Sequence, residues 1–364
     1  MTCPQMPLTD EQEFLVRFNR KVGENRVPLC GTLDLTHRCN LDCIHCYLGP
    51  HRGKRHAERA EMSTAQVLSV IDQVTAAGCL TLLITGGEPL LRPDFEQVYR
   101  HARSAGLLVS LFTNGTLLSE PIADLLAELP PQVVEVTLYG ATARTYERIT
   151  QVPGSFQRCL NGVRRLAERR VKLNLKTVLM TANVREYTAI RDLARQMGLG
   201  FRYDAAIFPR WNGDRSPLAL RVPPKDVVRL EMEGEGALAE WREYYELRRD
   251  MPVSDRLYNC GAGLTSFHID ACGRLHPCVM SRNYEYDLNG GSFVDGWNGV
   301  IAQIRERRAS PFFYCNRCQR RVLCSLCPPF SRAENGNEEV PSQYLCAIGN
   351  LRYDALYGDP GRIR

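Results

Sequence analysis

The sequence predicts an α/β protein, a partial (β/α)6 barrel of the TIM type followed by a small cysteine-rich C-terminal domain made of a β-hairpin and short helices. Short apolar, partly β-branched runs recur from residue 32 to residue 204, separated by helical patterns of ten or more residues. That alternation belongs to a parallel sheet covered by crossover helices. Turns bearing Cys39, Gly86-Gly87-Glu88-Pro89 and Thr113-Asn114-Gly115 each follow such a run. They therefore share the carboxyl rim of the sheet, where ligands of this architecture bind. Beyond residue 256 the alternation stops and cysteines crowd together.

Thr32–Thr36 reads as the first strand and delivers the chain to the cysteine loop. Ser63 caps a helix running to Ala77, stopped by Gly78. Strands follow at Leu80–Thr85, Leu107–Phe112, Val133–Leu138, Val171–Leu179 and Gly200–Asp204, with a helix opened by Pro93 and closed near Gly106. Around Pro209 the pattern becomes turn-rich, and Pro223-Pro224 precedes a charged helical stretch to Arg249. Ser266–Cys278 reads as a hairpin turning near Cys272-Gly273. The expected division is a helical extension (1–29), the barrel (30–210), a linker with helix (211–255), the cysteine-rich domain (256–350) and a tail (351–364).

Length and composition are those of a globular protein: 364 residues, 44% hydrophobic and 24% charged. A net charge of +5 on 46 basic and 41 acidic side chains is too slight and dispersed for a nucleic-acid footprint. The N-terminus lacks a continuous apolar stretch and no 18-residue apolar run occurs, so neither signal peptide nor membrane span is expected. Fifteen cysteines in a chain read as cytoplasmic call for metal ligation or catalysis rather than disulfides. Cys79 and Cys159 sit in apolar or helical contexts and read as packing residues.

The first cysteine group, Cys39-x3-Cys43-x2-Cys46, offers three soft thiolate ligands and leaves one position of a cubane or tetrahedral metal open. Gly86 and Gly87, without Cβ atoms, allow close backbone approach, and Glu88 adds a carboxylate suited to an ammonium group. A structural zinc loop, on a zinc-stabilised scaffold without activity, is the competing reading. It leaves the glycine-rich rim unexplained. Tyr203, Asp204 and Arg210, at the end of the last barrel strand, are candidate substrate contacts, with an ordinary salt bridge as the competing reading.

Together these motifs resemble the radical S-adenosylmethionine (SAM) superfamily over roughly residues 30 to 205. The resemblance implies that Cys39, Cys43 and Cys46 bind a [4Fe–4S] cluster whose fourth iron chelates the SAM amino and carboxylate groups. Gly86, Gly87, Glu88 and Pro89 would lie along the methionine, with Thr113 and Asn114 on the neighbouring turn. His45 stands at the position that faces the adenine, with Tyr47 adjacent. Many members set a polar residue against the ribose near the end of the fourth strand; here that segment is Thr137-Leu138-Tyr139-Gly140. In such enzymes an electron from the cluster cleaves SAM to methionine and a 5′-deoxyadenosyl radical, which abstracts a substrate hydrogen.

The later cysteines resemble the SPASM extension, which carries up to two auxiliary Fe–S clusters. By that resemblance Cys260, Cys278 and Cys327 would bind the first auxiliary cluster, and Cys315, Cys318, Cys324 and Cys346 the second. One departure is plain: two residues rather than three precede Cys327. Cys272 is a fourth ligand for the first auxiliary cluster, a hydrogen donor, or a thiol with no part in either; that cluster is alternatively [2Fe–2S], or keeps an iron open. The implied activity is modification of a ribosomally made peptide by cross-linking, epimerisation or oxidation. A small-molecule enzyme, such as a sugar epimerase or dehydrogenase or a tetrapyrrole side-chain enzyme, is the alternative, and Cys272 or Cys30 would then serve as thiol donor. Val279 stands where sulfatase maturases carry Asp, which argues against that activity. A flavodoxin or ferredoxin is the expected reductant. With 38 residues before Cys39, a separate leader-peptide-binding protein is expected to present a peptide substrate.

Overall fold

The computed structural model describes residues 11–49, 60–251 and 254–358. The start of the N-terminal extension, Cys3 included, and the end of the tail lie outside the described residues. Nine strands form one sheet: β1 Cys30–Asp34, β2 Thr81–Thr85, β3 Leu108–Thr113, β4 Val133–Thr137, β5 Leu173–Val178, β6 Gly200–Asp204, β7 Ser266–Ile269, β8 Arg274–His276 and β9 Tyr286–Asp287. Their order is β6-β5-β4-β3-β2-β1-β7-β8-β9, with every pair from β6 to β7 parallel and the last two antiparallel. The six expected barrel strands are all present, Gly200–Asp204 residue for residue.

Crossover helices cover the sheet: α1 Glu11–Glu24 precedes it, then α2 Thr64–Ala76, α3 Phe95–Ser104, α4 Glu120–Glu128, α5 Ala143–Thr150, α6 Ser155–Glu168 and α7 Tyr187–Gln196 lie between barrel strands. α2 starts where the sequence says, with Ser63 and Gln66 closing a reciprocal capping box. Two helices replace the single stretch expected after Pro224: α8 Pro224–Met232 and α9 Ala237–Glu246. Gly236, in the left-handed region at φ 84°, breaks them apart. The C-terminal part adds α10 Phe293–Asn298, α11 Val300–Glu306, α12 Pro328–Asn335 and α13 Gln343–Tyr357.

Strand alternation sorts the side chains. Leu33, Leu82, Ile84, Val109, Leu111, Val134, Val136, Leu173 and Leu175 point outward into one core with the helices. Their alternates, among them Thr32, Asp34, Leu83, Thr85, Ser110, Phe112, Lys176, Val178 and His268, line the interior cavity. The barrel is thus sealed outside by apolar packing and furnished inside with polar groups.

The expected hairpin is β7–β8, and β7 also pairs in parallel with β1, Cys30 to Ser266 and Leu33 to Ile269. It extends the barrel sheet by a seventh parallel strand. Phe267 on its outer face meets Phe293, ring centroids 4.9 Å apart, and Trp297 at 6.3 Å. Such aromatic pairs contribute about 0.5–1.5 kcal/mol each beyond buried area. The cysteine-rich segment is therefore tied to the barrel by strand pairing and by a shared core. Among the described residues no helix is long and apolar enough to cross a membrane.

Candidate active site

The rim of β1, β2 and β3 assembles the first thiol group. The loop after β1 carries Cys39, Cys43 and Cys46, which all line one cavity of about 860 Å³ in the barrel interior. The loop is held from several sides. Glu61 accepts hydrogen bonds from the Thr36 hydroxyl (2.7 Å) and the His37 N–H (2.9 Å). Arg210 donates to the carbonyls of Ile44 (3.2 Å) and Cys46 (3.3 Å) from the far side. Asn114 reaches Asn40 at 2.9 Å and lies 3.8 Å from the Cys39 sulfur.

The Gly86-Gly87 turn fits against this loop. A Cβ on Gly86 would lie 2.4 Å from the Thr36 carbonyl oxygen, and one on Gly87 2.2 Å from that of Arg38. Those contacts are to backbone, so no side chain can move aside. Gly87 N–H and Glu88 N–H donate to the same two carbonyls, at 2.7 and 2.9 Å. The glycines are required by the cysteine loop itself, a constraint that close approach to a ligand does not capture.

Glu88 differs from the sequence expectation. Its fully buried carboxylate accepts from the Thr113 hydroxyl (2.7 Å), the Asn114 N–H (2.8 Å) and the Leu90 N–H (3.2 Å). Burial pushes its pKa up to about 7. It joins the turns after β2 and β3, and it is not among the residues lining the cavity. Pro89, buried, opens the short 3-10 turn that follows and does not line the cavity either. Gly86, Gly87, Thr113 and Asn114 do.

His45 is buried against Tyr139, edge-on at 4.9 Å, and burial lowers its pKa to about 4. Tyr47 packs between Phe208 (5.5 Å) and Trp211 (5.0 Å). Both line the cavity, as do Thr137 and Tyr139 at the end of β4. The last strand divides two of the substrate candidates. Asp204 faces the cavity, whereas Tyr203, one residue earlier, points outward onto Tyr187, 5.1 Å away edge-on. Tyr203 therefore does not reach this site, because successive side chains leave opposite faces of a strand.

Sequence reasoning missed Lys176, Asp34 and His268, all on the cavity wall. Lys176 stands 3.7 Å from Glu135 and over the Phe112 ring, and burial lowers its pKa to about 7. A period-2 reading of each strand would have found all three as inward-facing polar residues.

The remaining thiols sort into two groups by which of them raise one another's pKa. Burial, then Cys327 and Cys260, push Cys278 up to about 12. Burial, then Cys346, Cys324 and Cys318, push Cys315 up to about 12. Cys324 and Cys327, close in sequence, fall into different groups; Ser325 between them lies in the left-handed region at φ 53° and turns the chain. A Cβ on Gly349 would lie 2.6 Å from Cys324 Cβ, so α13 approaches closely enough to bring Cys346 to its group. Cys278 lines the same cavity as the first thiol triplet. Cys272 stands at the hairpin turn, at the opposite end of β8 from Cys278, in a groove with Glu61, Gln66 and Asn289.

Clustered buried thiols that disfavour one another's ionisation are relieved by a positively charged iron–sulfur core, which deprotonates its ligands. The thiols are the soft donors such a core takes, while no three His, Cys, Asp or Glu side chains among the described residues close on a single metal ion.

The pattern of the radical SAM superfamily matches residues 33–194. The chain is 32% identical over 313 residues to the mycofactocin maturase MftC of Mycobacterium tuberculosis, covering 82% of this chain and 77% of that one. It is 27% identical over 348 residues to the AdoMet-dependent heme synthase of Methanosarcina barkeri, covering 88% and 97%. Streptococcus suis SuiB bound to its precursor peptide SuiA superposes with a TM-score of 0.70 at 16% identity, over 95% of this chain and 84% of that one. That likeness shows the shared fold. Enzymes of this kind use a [4Fe–4S] cluster and SAM, and the rim described above has the thiols and the glycine turn to receive them. The chain belongs to the radical SAM superfamily.

Proposed function

We propose that this enzyme modifies a ribosomally made peptide by cross-linking, epimerisation or oxidation, with Cys39, Cys43 and Cys46 holding the [4Fe–4S] cluster that binds SAM. With both bound, that cluster supplies the electron that cleaves SAM to methionine and a 5′-deoxyadenosyl radical. Gly86 and Gly87 seat the methionine end; His45, Thr137 and Tyr139 flank the nucleoside. Cys260, Cys278 and Cys327 serve one auxiliary cluster, and Cys315, Cys318, Cys324 and Cys346 another. The barrel of residues 30–210 and the cysteine-rich domain of 256–350 divide these tasks, joined by the linker 211–255. A flavodoxin or ferredoxin is the reductant, and a separate leader-binding protein presents the peptide.

The cavity wall carries the choice of substrate. Among the described residues lining it, Lys176 is the sole lysine or arginine, and Asp34 and Asp204 line it too. A tetrapyrrole bearing several carboxylates would meet one cation and two acids, and buried unpaired carboxylates are costly. Sites for ligands of drug size run to about 300–1,000 Å³, so a cavity of about 860 Å³ suits SAM with one or two side chains of a peptide. The maturase MftC and the peptide-bound SuiB agree with this reading. Tetrapyrrole modification is a second reading, favoured by the match to 97% of the heme synthase.

Reconstituted enzyme is incubated anaerobically with SAM, dithionite and synthetic peptides encoded by short reading frames beside its gene. The expected result is 5′-deoxyadenosine together with a peptide of altered mass, or of altered stereochemistry at equal mass. Unaltered peptides beside a tetrapyrrole that loses side-chain carboxylates would establish the second reading instead.

A further inference from the structure

Asp34 ends β1 and His268 lies on the adjoining β7, with Oδ2 and Nε2 3.6 Å apart. Both are buried, at 0% and 1% exposure, and both line the cavity. Neither carboxylate oxygen of Asp34 and neither ring nitrogen of His268 has a hydrogen-bond partner among the described residues. Buried polar groups are almost always partnered, and each one left unmet costs about 1–3 kcal/mol. Four such atoms on one stretch of cavity wall mark a place where a ligand supplies the partners.

The surroundings do not supply them. His37 Nε2 is 3.8 Å from the same Asp34 oxygen, beyond hydrogen-bond reach. Asp270, next to Asp34 across the strand pair, is already engaged: Arg282 donates to it at 2.8 Å, and His276 lies 3.4 Å away. His268 stacks on His276 at 5.9 Å, which fixes its ring plane. Arg282 in turn lies over Trp211 at 3.9 Å. These contacts lie behind the pair, while the pair itself lines the cavity.

In the sheet, the turns after β2, β3 and β4 lie on one side of β1 and β7 on the other. Cys278, beyond β8, lines the same cavity.

We propose that Asp34 and His268 hold a main-chain peptide group of the substrate within the cavity. This rests on the peptide reading above. Burial pushes the Asp34 carboxyl up to about 8 and the His268 imidazole well below its ordinary range, so both are mainly uncharged near pH 7. A neutral carboxyl with a neutral imidazole presents donors and acceptors side by side. A peptide unit, with one N–H and one C=O, matches that set.

Crystals of the cluster-loaded enzyme, grown anaerobically, are soaked in N-methylacetamide, a minimal peptide unit. Parallel crystals receive N,N-dimethylacetamide, which lacks the N–H. The expected result is N-methylacetamide within hydrogen-bond distance of Asp34 or His268 and no ordered dimethylacetamide there. Both amides bound alike, marking an adventitious additive only, or neither bound, overturns the proposal. With a peptide substrate in hand, Asp34→Leu, which removes donor and acceptor together, raises KM about tenfold or more, the loss of one hydrogen bond; an unchanged KM overturns it. His268→Phe provides the second variant should Asp34→Leu fail to fold. If wild-type enzyme alters no peptide, the functional reading fails, whereas the soaks report on the pair itself.

Discussion

Gly86→Ala tests the fit between the glycine turn and the cysteine loop. The new methyl would stand 2.4 Å from the Thr36 carbonyl oxygen, on a residue at φ 136°. Backbone strain of this kind costs of order 1–3 kcal/mol, and overpacking a closed site adds typically about 1–3 kcal/mol. The expected destabilisation is therefore about 2–6 kcal/mol. Gly106→Ala isolates the first contribution, because Gly106 has φ 87° with nothing within 4 Å of its absent Cβ. Urea unfolding of the two variants beside wild type reads both costs, and calorimetric titration with SAM reads the site. The clash predicts that Gly86→Ala exceeds Gly106→Ala by at least about 1 kcal/mol and loses measurable SAM binding. Equal destabilisation of the two, with SAM affinity retained, would refute the reasoning.

Three further outcomes follow from the same geometry. Removing the Arg210 guanidinium (Arg210→Ala) frees the Ile44 and Cys46 carbonyls; the variant should lose iron to a chelator several-fold faster, and an equal rate would rule out a clamp. The raised Asp34 pKa, about 8 against an ordinary 3.8, means the fold favours the protonated acid. Its stabilising contribution is full below the ordinary value and is lost as pH rises through about 8, at about 1.4 kcal/mol per pH unit in between. Wild type minus Asp34→Asn, measured by urea unfolding of apoprotein from pH 5 to 8, should show that slope; a flat difference contradicts the assignment. Cys346→Ser should remove the iron of one auxiliary cluster and leave the iron bound through Cys278. Loss of both together would contradict the sorting of thiols seen here.

The barrel was legible because its signals are local. Each strand is a short apolar run, and the Ser63 capping box and Gly78 bound α2 as written. The cysteine loop was legible because thiol spacing is itself chemistry. Pairing between distant segments was not: nothing in Ser266–Ile269 says that Cys30–Leu33 is its neighbour, more than two hundred residues away. Facing was only partly legible: alternation puts Tyr203 and Asp204 on opposite faces of one strand, and strand pairing fixes which of them enters the cavity. Asp34 and His268 escaped notice because each is an ordinary residue in an ordinary strand, and only their adjacency in the sheet makes a site. Glu88 was read as a ligand group, but its carboxylate is engaged by the next turn.

The central claim is that one thiol triplet makes the radical and the other two groups hold separate iron. Iron, sulfide and 5′-deoxyadenosine are measured for anaerobically reconstituted wild type and for the Cys39→Ala, Cys43→Ala, Cys46→Ala triple variant. Wild type should be brown, with roughly 8–12 irons per chain, and should form 5′-deoxyadenosine from SAM and dithionite. The triple variant should lose about four irons, keep the rest and form no 5′-deoxyadenosine. A colourless, sulfide-free wild type, or SAM cleavage surviving in the triple variant, would contradict it.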